Sequence, residues 1–334
     1  MEPVVRIAFE LSREHPTLPR ADALAALEAE RLTVRSVSFT PQLLIVDVPR
    51  PSRGALERVA LSRYVDRVLA LGPWSSIPRT AARIRLGGGT FRVRAHGPFS
   101  PVEKRDLEKQ VGGSMDATGR VDLEAPEREF RILRHGEDFV LAEVLHEVER
   151  SEMEARKVAR RPFSMPISLH PKLARALVNL SRCPRGGRIL DPFCGTGGIA
   201  IEGARLGMRV IASDIQEKMA VGTASVLAHY GLKGETFASD VGEVPRRVGR
   251  VDAIATDPPY GRAASTRGEP PEALYRRAFS AFREMLPKGG YAAVVLPSET
   301  AITIGEEFLR LEEAHTLRVH KSLTRTFCAF VKSL

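Results

Sequence analysis

The feature that most restricts the fold of this 334-residue chain is the alternation of short apolar runs with helix-like segments in its C-terminal half. The apolar runs cover residues 188–190, 208–213, 251–256 and 291–296, and the helix-like segments cover 172–182, 198–206, 217–230 and 272–286. This alternation is typical of a parallel sheet with helices on both faces. The segment 308–332 alternates like strands and predicts a closing antiparallel hairpin. We therefore expect an α/β fold with a Rossmann-like, doubly wound domain.

The N-terminal half predicts smaller α/β units before that domain. The expected elements of the first fifty residues are a strand at 4–9, a helix at 18–30, and strands at 34–39 and 43–48. Those of the next hundred are a helix at 56–69, a strand at 90–95, a helix at 101–110 broken by Gly112-Gly113, and strands at 129–133 and 139–144. Together these patterns predict four regions: 1–51, 52–150, a basic linker at 151–171, and the doubly wound domain at 172–334.

Basic residues are unevenly distributed along the chain. The net charge is +9, and residues 51–100 carry nine arginines against two acidic residues. Residues 156–188 carry nine lysines or arginines and no acidic residue, whereas 101–150 are net acidic. Such clusters favour a polyanionic partner, although solvated basic helix faces would give the same pattern.

Other classes of protein are disfavoured by composition. No run of 18 apolar residues predicts a membrane span, and the N-terminus does not resemble a signal peptide. The three cysteines lie far apart without a Cys-x-x-Cys pair, so we expect no metal site and a reducing, cytoplasmic location.

A glycine-rich loop follows the apolar run 188–190 and leads into the next helix. Glycines at 195, 197 and 198 let backbone approach a ligand, and the helix N-terminus favours an anionic group. Asp191 begins the loop, Asp214 ends the next apolar run, and Asp240 follows a third strand-like segment. Acids in these places suit the amine, the ribose diol and the adenine amine of S-adenosylmethionine. Each acid alone could equally be a helix N-cap.

The tetrad Asp257-Pro258-Pro259-Tyr260 ends the apolar run 251–256. An exocyclic amine on a planar ring is a poor nucleophile, because its lone pair is delocalised. The Asp257 carboxylate and the Pro258 carbonyl could each accept one N–H, and Pro259 restricts the backbone so that this carbonyl is aimed in advance. Tyr260 could stack on the ring. The tetrad therefore predicts methyl transfer to such an amine, the alternative being a proline-rich turn.

With these motifs, the half of the chain from about residue 165 resembles class I S-adenosylmethionine-dependent methyltransferases with an (N/D)-P-P-(Y/F) motif. Residues 90–94 and 121–126 resemble a THUMP RNA-binding domain, and 7–30 resemble the ferredoxin-like domain that accompanies it. Residues 161–171 and 320–325 are similar to signatures of the archaeal THUMP-containing tRNA (guanine-N2)-methyltransferases that act on position 10. The resemblance implies a class I methyltransferase domain preceded by a ferredoxin-like and THUMP region.

The resemblance also implies roles for individual residues. The expected catalytic residues are Asp257, Pro258, Pro259 and Tyr260. The expected cofactor-binding residues are Asp191, Pro192, Phe193, Cys194, Gly195, Thr196, Gly197, Gly198, Asp214, Ile215, Asp240, Val241, Ser168 and His170. The expected RNA-contacting residues are Arg92, Arg94, Arg160, Arg161 and Arg262. The implied partner is tRNA, with the chain acting as a monomer or with a small activating zinc-binding subunit.

Several alternatives keep the fold and change the substrate or the activity. The same chemistry could act at tRNA position 6, on another RNA base, on DNA adenine or on a glutamine side chain, and the RNA-binding half argues against the last two. A tRNA-binding chaperone with an inactive methyltransferase domain is the non-enzyme alternative. Neither the number of methyl groups transferred nor a general base can be read from the residues.

Overall fold

The computed structural model describes residues 4–165, 168–260, 269–320 and 323–333. The chain divides into two compact units, the first formed by 1–16, 32–57 and 62–148, the second by 17–31, 58–61 and 149–334. The domain boundaries predicted at residues 51, 150 and 171 stay predictions. Within the described ranges, no helix has both the length and the apolar character needed to cross a membrane.

The first unit is built on an eight-stranded sheet. Its strands are β1 (Val4–Leu11), β2 (Ser36–Thr40), β3 (Leu43–Pro49), β4 (Ser62–Gly72), β5 (Thr90–Ala95), β6 (Arg120–Val121), β7 (Arg128–His135) and β8 (Asp138–Glu147). Its helices are α2 (Arg53–Glu57), α3 (Ser76–Ala81) and α4 (Pro101–Ser114). The strand order is β2-β3-β1-β4-β8-β7-β5-β6, in which β5 pairs in parallel with β6 and β7. The strands of 1–51 and of 52–147 thus belong to one sheet.

Two sequence predictions in this unit are wrong. The segment 56–69 was expected to be a helix, but most of it forms the central strand β4, which pairs with β1 on one side and β8 on the other. Its apolar residues fit a helical repeat, yet Tyr64, Val65 and Val68 are also good strand formers, and two flanking strands decide the outcome. Gly112 and Gly113 do not break α4, which continues to Ser114.

The second unit contains the predicted alternation of strands and helices. Its strands are β9 (Arg188–Asp191), β10 (Arg209–Asp214), β11 (Gly234–Ala238), β12 (Ala253–Thr256), β13 (Tyr291–Leu296), β14 (Arg310–His320) and β15 (Leu323–Val331). Its helices are α1 (Leu18–Ala29), α5 (Arg150–Ala155), α6 (Pro171–Leu180), α7 (Gly198–Arg205), α8 (Glu217–His229), α9 (Val244–Val248), α10 (Pro271–Met285) and α11 (Glu299–Glu306). A short 3-10 turn, Val158–Arg160, lies in the linker. The strand β11 is the third strand-like segment expected before Asp240, whereas α11 was not expected from the sequence.

The seven strands of this unit have the order β11-β10-β9-β12-β13-β15-β14. The strands from β9 to β13 are parallel, and β15 pairs antiparallel with both β13 and β14, which confirms the predicted closing hairpin. The chain order reverses between β9 and β12, because β10 lies on one side of β9 and β12 on the other. In open α/β sheets, ligands bind at the carboxyl ends of the strands beside such a reversal.

Helix α1 packs in the second unit, although it was expected in the N-terminal region with β1. Asp22 of this helix is fully buried and accepts hydrogen bonds from the Ala60 and Leu61 amides, both at 2.8 Å, and from Asn179 of α6 at 2.7 Å. A buried carboxylate with several donors fixes α1 against α6.

Candidate active site

The glycine-rich loop joins β9 to α7 at the reversal of the strand order. Gly195 and Gly197 have φ values of 49° and 77°, in the left-handed region that favours glycine. The Thr223 hydroxyl of α8 donates to the Gly195 carbonyl at 3.1 Å, and the Cys194 amide donates to the Ser213 carbonyl of β10 at 2.9 Å. The loop is therefore anchored by β10 and α8 while its backbone curves around the end of β9.

Asp191 ends β9 and is buried at the base of this loop. Its Oδ1 accepts from the Thr256 hydroxyl of β12 at 2.7 Å, so the ends of β9 and β12 are directly joined. Its Oδ2 is buried and has no hydrogen-bond partner among the residues that the structure describes. Burial is the main cause that raises the pKa of Asp191 to about 7; the hydrogen bond from Thr256 opposes the rise, and the nearby Asp214 and Asp257 carboxylates add to it. An orphaned carboxylate oxygen of this kind fits a cationic donor.

Asp214 ends the neighbouring strand β10 and is held by backbone amides. Gly195 N–H donates to its Oδ2 at 3.1 Å and Gln216 N–H to its Oδ1 at 3.0 Å. Burial raises the pKa of Asp214, and these hydrogen bonds oppose the rise. Ile215 follows directly. Asp214 thus lies where the sequence reading expected a carboxylate for a ribose diol.

Asp240 follows β11 and forms an ion pair with Arg277, a residue that sequence reasoning missed. Arg277 of α10 donates to Asp240 Oδ1 at 2.5 Å, and Gly242 N–H donates to the same oxygen at 2.9 Å. Glu269 accepts two further hydrogen bonds from Arg277, at 2.9 and 2.6 Å. The next residue, Val241, is buried in the core of the unit.

Ser168 and His170 lie at the start of α6, beside the glycine-rich loop. The Ser168 hydroxyl lies 2.6 Å from the Thr196 hydroxyl. His170 caps α6, since its Nδ1 accepts from the Lys172 amide at 3.3 Å, and its Nε2 lies 3.3 Å from a Glu154 carboxylate oxygen. The structure therefore places Ser168 beside the loop and His170 at the helix end, and the cofactor-binding roles of both stay predictions.

The tetrad 257–260 begins directly after β12. Asp257 is mostly buried, with 18% of its side chain exposed, and its Oδ1 accepts a hydrogen bond from the Tyr260 hydroxyl. Arg325 of β15 lies beside it, with Nη2 3.6 Å from Asp257 Oδ2 and its guanidinium carbon 6.0 Å from the Tyr260 ring centre. Burial raises the pKa of Asp257 to about 6, while Arg325 and the Tyr260 hydroxyl lower it.

Tyr275 of α10 is a second neighbour that sequence reasoning missed. Its hydroxyl donates to the Pro259 carbonyl at 3.1 Å and so holds the tetrad backbone. Tyr275 and Arg325 both lie outside the tetrad 257–260 in the sequence, and the packing of α10 and β15 brings them close to it. Two signals in the sequence pointed to Arg325: it ends the segment 320–325 that resembles a family signature, and it is a charged residue near the start of an otherwise apolar strand.

The residues at the ends of β9, β10 and β12 fit S-adenosylmethionine. Three carboxylates, of Asp191, Asp214 and Asp257, converge at the strand ends, and they raise the local preference for a cationic ligand such as a sulfonium or an ammonium. The two left-handed glycines leave the loop backbone open to close approach. Within the loop, Pro192 and Cys194 are buried, and Phe193 packs on the core.

The predicted RNA-contacting arginines occupy three kinds of position. Arg92 donates to Glu129 at 2.6 Å, and Arg94 lies 3.7 Å from a Glu108 oxygen, both within the first unit. Arg160 is exposed, whereas Arg161 is only 6% exposed. A guanidinium so buried does not present itself to a phosphate backbone, so the prediction for Arg161 is wrong. Arg262 lies outside the described residues.

Comparison with known proteins agrees with this geometry. Residues 158–327 match the family model UPF0020, described as an RMKL-like methyltransferase domain. A tRNA (guanine(10)-N2)-dimethyltransferase of Methanothermobacter thermautotrophicus is 35% identical over 94% of this chain and 96% of its own. A tRNA (guanine(6)-N2)-methyltransferase of Thermus thermophilus is 32% identical over 83% of this chain and 77% of its own.

The fold also agrees with a solved structure. The crystal structure of TrmN from Thermus thermophilus aligns with a TM-score of 0.55 and 24% identity, covering 98% of this chain and 99% of that one. Its likeness supports the shared architecture of both units. From the family model and the full-length relatives together, the chain belongs to the UPF0020 family of S-adenosylmethionine-dependent methyltransferases, among the tRNA (guanine-N2)-methyltransferases.

Proposed function

We propose that the protein transfers methyl groups from S-adenosylmethionine to the exocyclic N2 of guanosine 10 in tRNA, forming the monomethylated and then the dimethylated base. The full-length relative named for position 10 supports this choice of substrate and position. The observation that carries the proposal is the place of Asp257, at the end of β12 and joined through Thr256 to the base of the cofactor loop.

The site residues have defined tasks in this reaction. Ionised Asp257 accepts one N–H of the guanine amine, and the Pro258 carbonyl accepts the other, so that the nitrogen lone pair is freed from the ring and directed at the cofactor. The bound cofactor supplies a methyl group on a positively charged sulfur. Tyr275 fixes the backbone that presents these acceptors through the Pro259 carbonyl. Water or Asp257 takes the proton released at N2.

Asp257 also suits a second methylation. After the first transfer the amine keeps one N–H, and an aspartate offers only acceptor oxygens, whereas an asparagine could present a donor in the wrong orientation. Arg325 lies within ion-pair distance and keeps the carboxylate ionised near neutral pH. This arrangement supports dimethylation at the same site.

Basic residues of the first unit and of the linker would bind the tRNA backbone. Arg92 and Arg94 would have to exchange a carboxylate for a phosphate, whereas Arg83, Arg85, Arg120 and Arg160 are exposed. Phosphate contacts position the tRNA without reading its sequence. We expect tRNA affinity to fall roughly tenfold or more between about 50 and 200 mM salt, and a flat response would remove this role.

The decisive experiment incubates the protein with unmodified tRNA and a labelled methyl donor, followed by nucleoside analysis and mapping of the modified nucleotide. N2-methylated and N2,N2-dimethylated guanosine at position 10 is the expected result. Label at position 6 would favour the activity named for the Thermus relative. Label on another base would contradict guanine specificity, and binding without transfer would indicate a tRNA chaperone.

We further propose that the protein acts in the cytoplasm, as a monomer or with a small zinc-binding activating subunit. The methylation experiment on the purified chain tests the need for the subunit, since full turnover without an added protein would show that none is needed. Size-exclusion chromatography with light scattering of the same preparation tests the monomeric state, and a stable homodimer would contradict it.

A further inference from the structure

Arg161 is buried against the start of α7 in the second unit. A β-carbon placed on Gly198, the first residue of that helix, would lie 3.2 Å from Arg161 Nη1 and 3.7 Å from Nη2. Two residues further along the linker, Phe163 packs on α8, where any side chain at Gly222 would overlap its ring. The linker thus holds the Arg161 guanidinium at the N-terminus of α7, in close contact with Gly198.

The Glu202 carboxylate, which interacts electrostatically with Arg161, is already hydrogen-bonded to other arginines. Glu202, one turn further along α7, is 1% exposed. Its Oε1 accepts from Arg156 at 2.9 Å, and its Oε2 accepts from Arg175 at 2.8 Å and from Arg156 at 3.3 Å. Glu202 therefore neutralises part of this cluster, but in the described residues it accepts no hydrogen bond from Arg161 Nη1.

Arg161 has hydrogen-bonding capacity to spare. Its Nε donates to the Arg156 carbonyl at 2.9 Å, while its buried Nη1 finds no acceptor in the described parts of the chain. Burial and the neighbouring Arg156 lower the pKa of Arg161, so the surroundings disfavour its charge. A buried donor without a partner destabilises the fold unless a ligand supplies the acceptor.

The N-terminal amides of α7 need a hydrogen-bond acceptor, as Arg161 Nη1 does. The first amides of a helix have no acceptor within the helix and carry a partial positive charge. A guanidinium placed beside them is repelled unless an anion lies between the two. The Ser168 and Thr196 hydroxyls, 2.6 Å apart, bring the linker and the cofactor loop together beside this point.

We propose that Arg161 binds the α-carboxylate of the amino-acid part of S-adenosylmethionine, together with the amides at the N-terminus of α7. A carboxylate is the only anionic group of that cofactor, and a guanidinium donates to it in a charge-assisted hydrogen bond. Arg161 is therefore a cofactor-binding residue of the linker and not an RNA contact. The inference rests on the cofactor of the proposed function and is independent of the methyl acceptor.

The test measures cofactor binding by calorimetry without tRNA, so its failure leaves the tRNA methylation result untouched. The probes are S-adenosylmethionine and decarboxylated S-adenosylmethionine, which lacks only the carboxylate. The wild-type chain is expected to prefer the first probe. Arg161→Gln should weaken it roughly 10- to 100-fold through loss of a charged hydrogen bond. The same variant should bind the decarboxylated probe as well as the wild type or better, because a repelling cation is gone.

Two further variants serve as controls. Arg250→Gln, at an exposed position before β12 in the same unit, should change neither affinity. Arg161→Lys keeps the charge without the planar fork and should fall between the wild type and Arg161→Gln. Thermal unfolding without ligand identifies a variant that does not fold, in which case the wild-type and Arg161→Lys preferences decide. Equal wild-type affinity for the two probes, or equal loss of both in Arg161→Gln, would overturn the proposal.

Discussion

Asp214 and Asp257 both follow strands of one parallel sheet, but different parts of the chain hold their carboxylates. Asp214 receives backbone amides of Gly195 and Gln216, which are close to it in the loops of the cofactor end. Asp257 receives side chains, the hydroxyl of Tyr260 and the guanidinium of Arg325 from a distant strand. Backbone donors fix the cofactor end before a ligand arrives. Side-chain donors leave Asp257 able to exchange a partner for a substrate N–H.

The largest expected effect separates the cofactor end of the site, around Asp214, from the acceptor end, around Asp257. Asp257→Ala should lower the single-turnover rate of methyl transfer by about 10³-fold or more, because the acceptor for the guanine amine is lost. Its affinity for S-adenosylhomocysteine should stay within a factor of about 3, since no atom of the loop 191–198 donates to Asp257 in the structure. Calorimetry and rapid-quench kinetics measure the two quantities, and a parallel loss of both would place Asp257 at the cofactor end.

The reverse separation is expected at Asp214. Asp214→Ala removes the acceptor of the Gly195 and Gln216 amides and should weaken cofactor binding roughly 10- to 100-fold. Asp240→Ala is the matched control, with a smaller expected effect because Arg277 already engages that carboxylate. Titration calorimetry with S-adenosylhomocysteine measures both, and a larger loss for the Asp240 variant would contradict the ribose assignment.

Arg325 should control the pH dependence of the acceptor end. The pKa of Asp257 is raised to about 6 by burial and held down by Arg325, so transfer should rise as pH increases through about 6 and then level off. Arg325→Gln removes the lowering charge and should move this midpoint up by about one unit, which would make the rate at pH 6 roughly fivefold slower. Single-turnover rates at saturating cofactor between pH 5 and 8 provide the test. An unchanged midpoint would exclude Arg325 from this role.

A second pH dependence belongs to the cofactor end. Burial raises the pKa of Asp191 to about 7, so part of the free protein carries a protonated Asp191 below that pH. A cationic ligand favours the ionised form, and affinity for S-adenosylmethionine should therefore rise several-fold between about pH 5.5 and 7.5 and stay level above. Methylthioadenosine is neutral and should show little change. An equal pH response of the two ligands would argue against Asp191 facing the cationic part.

The smallest expected effect concerns the support of the tetrad. Tyr275→Phe removes the hydrogen bond to the Pro259 carbonyl and leaves the ring in the core. The turnover rate should fall roughly 3- to 10-fold, consistent with one neutral hydrogen bond, while cofactor affinity is unchanged. Steady-state kinetics with saturating tRNA measures it. A loss as large as that of Asp257→Ala would mean that Tyr275 does more than hold the backbone.

The comparison of the two ends also explains what the sequence could predict. The cofactor end is local, because Asp191 and Asp214 end strands whose apolar runs are visible in the sequence, and the glycines follow the first of these strands directly. The tetrad is visible for the same reason. Arg325 lies 68 residues after Asp257, and its approach depends on the pairing of β13 with β15, which no local pattern specifies.

Two other errors have the same physical origin. The segment 56–69 has apolar spacing compatible with a helix, and only its pairing with β1 and β8 makes it a strand. Arg161 belongs to a basic run that predicts a solvated surface, but the packing of Phe163 on α8 carries it inward. Charge and periodicity are local properties, whereas burial depends on which distant elements meet.

The position of S-adenosylhomocysteine in a crystal structure tests the account most directly. We expect the ligand at the carboxyl ends of β9 and β10, with its ribose hydroxyls on Asp214 and its sulfur facing the tetrad 257–260 within a few ångströms. A ligand bound away from the loop 191–198, or with its sulfur turned from Asp257, would contradict the assignment of the two ends.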